Sequence, residues 1–142
     1  MIDKCVQEVR AFNRFYTAFL GILNNTYLHS KFSLAEVRVM YAAIVKPGIT
    51  PTEIVSMLNV DKSYLSRMIV RLKKMKIISR RKSKNDGRSF NLYITAFGQK
   101  EFNKLNSTAT KEMKEMLQHL SKEDCKVLIN SMACIQDILS KL

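Results

Sequence analysis

Apolar residues recur at intervals of three and four along most of the chain, and this spacing predicts helices. The first apolar stripe begins at Ile2, is rich in aromatic side chains and has Leu23 as its last member. It predicts a long amphipathic helix that ends near Tyr27. We expect a helix with such a stripe to pack against a partner.

Capping signals mark the starts of the next two helices. Ser33 and Glu36 have the spacing of a capping box, which predicts a second helix that ends before Pro47. The string TPTE at residues 50–53 repeats the signal, with proline at the first helical position, where its missing N–H is not needed. It predicts a third, short helix that ends near Leu58.

A fourth helix is predicted after a break in the pattern. Asp61 is placed to cap it, and apolar positions recur from Leu65 onwards at spacings of four and three. Two short helices joined by a turn of three or four residues make a helix-turn-helix. Short hydroxyls would let this helix approach a major groove, and basic side chains would reach bases or phosphates. Its polar face carries one valine and six such residues: Lys62, Ser63, Ser66, Arg67, Val70, Arg71 and Lys74.

The pattern then changes from helical spacing to alternation. Ile77 begins a predicted strand, residues 82–89 form a loop around an Asn-Asp-Gly turn, and residues 90–94 alternate as a return strand. Directly after a helix-turn-helix, such a basic hairpin predicts a wing whose Arg88 enters the narrow minor groove. Asp86 is expected to pair with the guanidinium of Arg88 and to hold the tip in one shape.

Helical spacing returns after Thr95 and continues to the C-terminus. Together with the first helix, these helices carry more apolar surface than a winged helix can cover, so a partner subunit is expected. The sequence therefore predicts a mainly α (α+β) fold. It forms one domain over residues 1–142, with a winged helix-turn-helix at 33–95 and dimerisation helices at 1–30 and 96–142.

The distribution of charge supports a docking surface for a polyanion. The chain of 142 residues has a formal net charge of +12. Residues 61–90 hold eleven of the 24 Lys and Arg residues but only two of the 12 Asp and Glu residues. This local positive field favours nucleic acid as the partner. A solvated basic helix surface is the alternative, but it does not explain charge concentrated in two consecutive elements.

The cysteines, the apolar runs and the titratable side chains give no indication of a disulfide-bonded, membrane-spanning or catalytic protein. Cys5, Cys125 and Cys134 have no C-x-x-C spacing, so they are interpreted as buried thiols of a reducing compartment. No apolar run approaches the ~20 residues of a membrane span, and the N-terminus is too charged for a signal peptide, so a cytoplasmic protein without membrane contact is expected. No catalytic or metal-binding set of side chains is evident. We predict no enzyme activity and no cofactor.

Several strings resemble the MarR family of bacterial transcription regulators, over roughly residues 6–105. They are FSLAEVRVMYAAI, ITPTEIVSMLNVDKSYLSRMIVRLKKMKIISRR, NDGRSFNLYIT and ITAFGQKEF. The D-x-R string at Asp86 and Arg88, followed by T-x-x-G at Thr95 and Gly98, is specific in combination. VRAFNRFYTAFLGIL and DKSYLSR are especially similar to the regulator halves of proteins that join a MarR domain to an acetyltransferase. The chain has no Q/R-x-x-G-x-G/A string for acetyl-coenzyme A, so no transferase is predicted.

The resemblance implies a homodimer that represses genes by binding a palindromic operator in double-stranded DNA, with a small molecule as a possible effector. The alternative is a dimeric winged-helix protein that binds protein or nucleic acid without sequence preference. The residue pattern and the resemblance together give the candidates for DNA binding: Thr52, Lys62, Ser63, Tyr64, Ser66, Arg67, Arg71, Lys84, Asp86 and Arg88.

Several details stay open at this point. Tyr64 packs either inward or against DNA, and Arg88 either reaches the groove or only pairs with Asp86. Cys5 lies one helical turn from the position of the reactive cysteine in the family's peroxide sensors, which favours a buried or incidental thiol over a redox-active one. The family usually has glycine where this chain has Lys76, so the fourth helix is expected to end without a left-handed glycine.

Overall fold

The computed structural model describes residues 1–21 and 27–142. Within them the chain forms six α-helices and one antiparallel two-stranded sheet. The elements are α1 (Ile2–Phe19), α2 (Leu34–Val45), α3 (Pro51–Leu58), α4 (Lys62–Lys74), β1 (Ile78–Lys82), β2 (Phe90–Ile94), α5 (Ala96–Leu117) and α6 (Lys122–Leu139). This order confirms the predicted mainly α, winged helix-turn-helix fold. The chain divides into two compact units, Met1–Asn106 and Ser107–Leu142, and a single domain over the whole chain stays a prediction.

The first helix is shorter than predicted. α1 ends at Phe19, and Gly21 then adopts a left-handed φ of 65°, a common way for a helix to end. The predicted continuation, including Leu23, falls on residues 22–26, which lie outside the described residues. Tyr27, the predicted end, begins a separate 3-10 turn.

The helices of the helix-turn-helix begin where the capping signals predict. The hydroxyl of Ser33 accepts the N–H of Glu36 at 3.2 Å, and the Glu36 carboxylate accepts the N–H of Ser33 at 2.9 Å. Thr50 and Glu53 form the same reciprocal pair at the start of α3. Asp61 caps α4 by accepting a backbone N–H at 3.0 Å. The helix boundaries are therefore set by local hydrogen bonds that the sequence already contains.

One apolar core supports both α4 and the hairpin. It combines residues of α2, α3, α4 and both strands, together with the first turns of α5. Its largest fully buried side chains are Phe32, Val39, Met40, Ile49, Ile54, Leu65, Leu72, Ile77 and Leu92. Since the inner face of α4 and the inner face of the hairpin share this core, their positions depend on the same packing.

The wing is a short antiparallel hairpin tied to the segment before α3. β1 and β2 pair in the register that places Lys82 opposite Phe90. Leu92, at the centre of β2, is fully buried and donates its N–H to the carbonyl oxygen of Ile49 at 2.9 Å. The alternation predicted for residues 90–94 is therefore confirmed at its centre.

Apolar side chains of α1 and of α6 are exposed in the single chain. α1 buries none of its residues, and its aromatic stripe stacks on itself, with the ring centroids of Phe12 and Tyr16 5.4 Å apart. α6 also buries none, and its exposed apolar residues are Val127, Leu128, Ile129, Met132, Ile135, Ile138 and Leu139. Among the described residues, no helix has both the length and the apolar character needed to cross a bilayer.

The prediction that the cysteines are buried is wrong for the single chain. Cys5 and Cys134 are exposed, and Cys125 is partly exposed. The physical reason is their position, because α1 and α6 are the two helices that bury no residue.

Candidate nucleic-acid interface

Helix α4 has one buried face and one exposed face. Leu65, Met68, Ile69 and Leu72 point into the core. The opposite face carries five of the predicted candidates, all of them exposed: Lys62, Ser63, Tyr64, Ser66 and Arg67. The cap at the start of α4 and its apolar stripe thus present small hydroxyls and basic side chains to solvent on the first two turns.

Tyr64 faces solvent rather than the core. The side chain is 40% exposed, and the central guanidinium carbon of Arg67 lies 6.0 Å from the centre of its ring. A guanidinium over an aromatic face is attracted by the quadrupole of the ring. Since the two residues are one helical turn apart, the ring helps to hold Arg67 over the exposed face of α4.

Arg71 makes contacts within the protein that the sequence did not predict. Its Nη1 pairs with Oε1 of Glu36, and its Nη2 donates to the carbonyl oxygen of Lys31 at 2.9 Å. Glu36 is only 4% exposed. The guanidinium of this candidate for DNA binding is therefore held at the start of α2.

The tip of the wing is shaped by a side chain that bonds to the backbone. Lys84, Asp86 and Arg88 are all exposed there. The predicted pairing of Asp86 with the guanidinium of Arg88 is wrong: Oδ1 of Asp86 accepts the backbone N–H of Arg88 at 3.0 Å instead. A short carboxylate reaches a backbone N–H two residues later without ordering a long side chain. Within the described residues, the guanidinium of Arg88 forms no ion pair.

Two further basic residues of the wing contribute to its charge, but the sequence did not predict their contacts. The central guanidinium carbon of Arg80 lies 4.4 Å from the ring centre of Phe90, and that of Arg81 lies 4.6 Å from the ring centre of Tyr93. Each aromatic ring is diagonal to its arginine across the two strands. This pairing depends on the register, so a sequence pattern alone does not reveal it.

The start of α3 holds the last candidate, Thr52, which is exposed on the first turn. Next to it, Glu53 caps the helix and forms an ion pair with Lys46. The hydrogen bond from Lys46, supported by the N–H of Thr50, lowers the pKa of Glu53 to about 2. The carboxylate therefore stays charged near neutral pH, and the start of α3 keeps its cap.

The T-x-x-G string joins α4, the wing and α5. Lys76, where the family usually has glycine, adopts a left-handed φ of 60°, so α4 ends in a left-handed turn without a glycine. The hydroxyl of Thr95 donates to the carbonyl oxygen of Lys76 at 2.6 Å and accepts the N–H of Gly98 at 2.9 Å. The start of α5 is thereby tied to the turn that ends α4.

The geometry described above agrees with the similarity of the chain to known proteins. A MarR family model matches residues 32–90. No curated protein matches the sequence. Among solved structures, the chain is similar to the MarR family transcription regulator SP03579, with a TM-score of 0.80 and 14% identity over 99% of this chain and 93% of that chain.

Two other similar structures contain a bound partner. FabT from Streptococcus pneumoniae, solved in complex with DNA, has a TM-score of 0.77 and 18% identity over 96% of this chain and 98% of that chain. The PcaV transcriptional regulator from Streptomyces coelicolor, solved with its natural ligand, has a TM-score of 0.70 and 18% identity over 89% of each chain. Similarity at these identities establishes the fold.

The family match runs from just before α2 to the first residue of β2, so it contains the helix-turn-helix and most of the wing. The structural similarity extends over nearly the whole chain, including the long helices outside the family match. The chain therefore carries a MarR family domain at residues 32–90, within the winged-helix fold of MarR-family transcription regulators.

Proposed function

We propose that the protein is a cytoplasmic transcriptional regulator that recognises a specific sequence in double-stranded DNA. The observation that carries this proposal is a pair of consecutive basic elements, α4 and the wing, which rest on one core inside the MarR family domain. Residues 61–90, which contain α4 and the wing up to the first residue of β2, hold +9 of the net charge of +12. Such a concentrated positive surface attracts the phosphate backbone and provides the affinity that does not depend on sequence.

In this proposal α4 enters the major groove. Ser63 and Ser66 let the helix backbone come close to the bases, and Arg67, supported by Tyr64, reaches a base edge. Lys62 contributes charge at the start of the helix. An arginine can form two parallel hydrogen bonds with guanine, which is why Arg67 is the first residue to test for sequence preference.

The other candidates are proposed to position the protein on the backbone and in the minor groove. Thr52, on the first turn of α3, contacts a phosphate. Lys84 and Arg88 follow the narrow minor groove, while Asp86 fixes the shape of the tip. Contacts of this kind fix orientation, whereas base contacts fix sequence.

We also propose a symmetric homodimer. This part is supported by the apolar stripes of α1 and α6, each of which is exposed in the single chain. A two-fold dimer presents two recognition helices, so its operator is expected to be a palindrome. Half-sites read in this way lie about 34–36 Å apart, or a multiple of one DNA turn.

Repression relieved by a small molecule is the form of regulation that we propose. Structures of this fold in complex with DNA and with a natural ligand support both kinds of binding. A ligand that binds the DNA-free conformation more tightly would shift the population away from the operator. This mechanism requires no catalytic group.

Selection of random duplexes by the purified protein, followed by sequencing, tests the proposal. We expect inverted half-sites, and binding to the selected duplex about 1,000-fold or more tighter than binding to a scrambled duplex. The logarithm of the binding constant should fall with the logarithm of the salt concentration by about 0.9 per phosphate contact.

Equal binding to selected and scrambled duplexes would contradict sequence recognition. It would favour the alternative, a dimeric winged-helix protein that binds nucleic acid or protein without sequence preference. Sedimentation of the protein as a monomer, at concentrations that saturate the duplex, would contradict the dimer separately.

A further inference from the structure

We propose that Arg71 and Glu36 form a latch that positions the recognition helix, and that Arg71 does not bind DNA itself. The inference rests on the proposed function and deepens it, because it concerns how α4 is presented to the groove. It separates Arg71 from Arg67, although both are basic residues of the same helix.

The contacts of Arg71 involve both ends of its guanidinium. Nη1 pairs with Glu36, and Nη2 donates to the carbonyl oxygen of Lys31 at 2.9 Å. These partners lie at the start of α2, 35 and 40 residues away in the chain. A planar guanidinium with two fixed acceptors has a defined direction, which a single ammonium group would not have. Arg71 therefore ties the second half of α4 to α2.

Glu36 is buried and serves both this latch and the cap of α2. Its side chain is 5% exposed, so it is too deeply buried to touch a nucleic acid. One carboxylate oxygen pairs with Arg71, and the other accepts the N–H of Ser33 at 2.9 Å. A buried carboxylate requires such partners, because an unpaired charge in the interior is strongly unfavourable.

The second acceptor of Arg71 is itself held in place. The Nζ of Lys31 forms an ion pair with Glu101 at 3.3 Å and lies 5.7 Å from the ring centre of Phe97. Both of these partners belong to α5. The next residue, Phe32, is only 1% exposed in the core, so the backbone that carries the Lys31 carbonyl group is held by this burial, and the side chain of Lys31 adds a contact with α5.

An apolar face alone leaves a helix some freedom to slide and rotate on its core. Recognition of a base requires the side chains of α4 to be placed to within about 0.5 Å. A hydrogen bond of fixed direction at the far end of α4 restricts the sliding and rotation that would displace them. The exposed face of α4 would then owe its orientation to Glu36 and Arg71 together.

The direction in which DNA binding changes when the charge of Glu36 is removed distinguishes positioning from simple electrostatic attraction. If only electrostatic attraction mattered, removing an acidic residue from a DNA-binding domain would strengthen binding to DNA. If Glu36 positions α4, removing its charge weakens binding to the selected duplex. Glu36→Gln is the suitable change, because Arg71 and the N–H of Ser33 donate to different oxygens of Glu36, and in glutamine one of these positions is an NH2 group, which cannot accept.

The experiment measures binding of the selected duplex by full-length Glu36→Gln, Arg71→Met and the double variant, each over a range of salt concentrations. We expect each single variant to weaken binding by about 10-fold, and the double variant to be no weaker than the singles, because both remove one interaction. The salt dependence should equal that of the unchanged protein. Ser33→Ala is the matched control, since it removes the hydroxyl cap but keeps the latch, and it should bind normally.

Two results together would overturn the inference. Arg71→Met would reduce the slope of log K against log salt concentration by about 0.9, and Glu36→Gln would bind as well as or better than the unchanged protein. Arg71 would then contact a phosphate. Amide hydrogen exchange without DNA gives an independent result. Both latch variants should speed exchange in α4, and Ser33→Ala should not. If the unchanged protein has no preferred duplex, the proposed function fails. The latch is then judged by hydrogen exchange alone: faster exchange in α4 of both variants supports it, and unchanged exchange excludes it.

Discussion

Gly98 lies directly against the backbone of Ile77, where a β-carbon on the glycine would come within 2.1 Å of the carbonyl oxygen. The same carbonyl group accepts the N–H of Thr95 at 3.0 Å, so it is part of the junction between the wing and α5. No side chain can occupy this space without moving the backbone. The glycine of the T-x-x-G string is therefore required by close approach.

Gly98→Ala is expected to lower the free energy of unfolding by about 1–3 kcal/mol, because the added methyl group forces the start of α5 away from the backbone of Ile77. Gly87→Ala is the matched control, since a β-carbon at Gly87 would meet nothing within 4 Å. That control should change stability by less than about 0.5 kcal/mol. Urea denaturation followed by circular dichroism measures both. Equal stability of the two variants would show that α5 can shift without cost.

Lys76 supplies a second test of the same junction. A left-handed conformation is unfavourable for lysine but not for glycine, so Lys76→Gly should raise the free energy of unfolding by about 0.5–1 kcal/mol. Lys74→Gly, a control that removes the same charge from the last residue of α4, where the backbone is helical, should instead lower it by up to about 1 kcal/mol. Thermal unfolding compares the signs. A loss of stability in both variants would mean that the lysine side chain contributes more than its strain costs.

The sequence predicted the order of elements because their signals are local. Capping at Ser33, Thr50 and Asp61, together with the change from helical spacing to alternation, set the boundaries without long-range information. The early end of α1 also had a local signal, since Gly21 follows the last helical turn, but the apolar stripe continued past it.

The site was predicted less completely because its details depend on tertiary contacts. Arg71 lies on the polar face of α4 together with the other candidates for DNA binding, so its position in the sequence does not distinguish it from them. Its pairing with Glu36 becomes visible only in the folded chain. Asp86 has two possible partners in Arg88, the guanidinium and the backbone N–H, and sequence does not distinguish them. The stacking of Arg80 on Phe90 requires the strand register.

The pKa of Glu53 provides a test at the start of α3. The hydrogen bond from Lys46, followed by that from the N–H of Thr50, lowers it from 4.5 to about 2, so the contribution of this carboxylate to stability is complete above pH 4.5 and is lost as the pH falls towards 2. Lys46→Met should return the pKa towards 4.5, as measured by NMR titration of the side-chain carboxyl carbon. Lys104→Met is the control, because the hydrogen bond from Lys104 lowers the pKa of Glu101, so this variant should raise the pKa of Glu101 and leave that of Glu53 unchanged.

High salt should reduce the effect of Lys46 on Glu53, since the pair is solvent-exposed and therefore screened. A Glu53 pKa that stays near 2 in Lys46→Met would assign the shift to the bond from Thr50 alone.

Tyr64 is expected to support DNA binding through Arg67. Tyr64→Leu removes the ring that holds the guanidinium and should weaken binding to the selected duplex by about 0.5–1 kcal/mol. Combined with Arg67→Met, it should add little further loss, because the ring acts through the arginine. Tyr64→Phe keeps the ring and is the control. Fluorescence anisotropy measures all four variants, and equal losses in Tyr64→Phe and Tyr64→Leu would assign the effect to the hydroxyl group.

Two variants of Asp86 distinguish the effect of wing shape on DNA binding from the effect of wing charge. Asp86→Asn keeps a side-chain oxygen for the N–H of Arg88 but removes a negative charge next to the proposed minor-groove contact. Asp86→Ala removes the same charge and the hydrogen bond. Because the charge change is identical, any difference between the two variants reports the value of a fixed tip.

We expect Asp86→Asn to bind the selected duplex as tightly as the unchanged protein or more tightly, since one repulsive charge is gone. Asp86→Ala should bind more weakly than Asp86→Asn by about 0.5–1.5 kcal/mol, because a looser loop loses more conformational entropy when it docks. Equilibrium binding at two salt concentrations measures both. If the two variants bind equally, the hydrogen bond from Arg88 to Asp86 does not prepare the wing for DNA, and Asp86 affects binding through its charge alone.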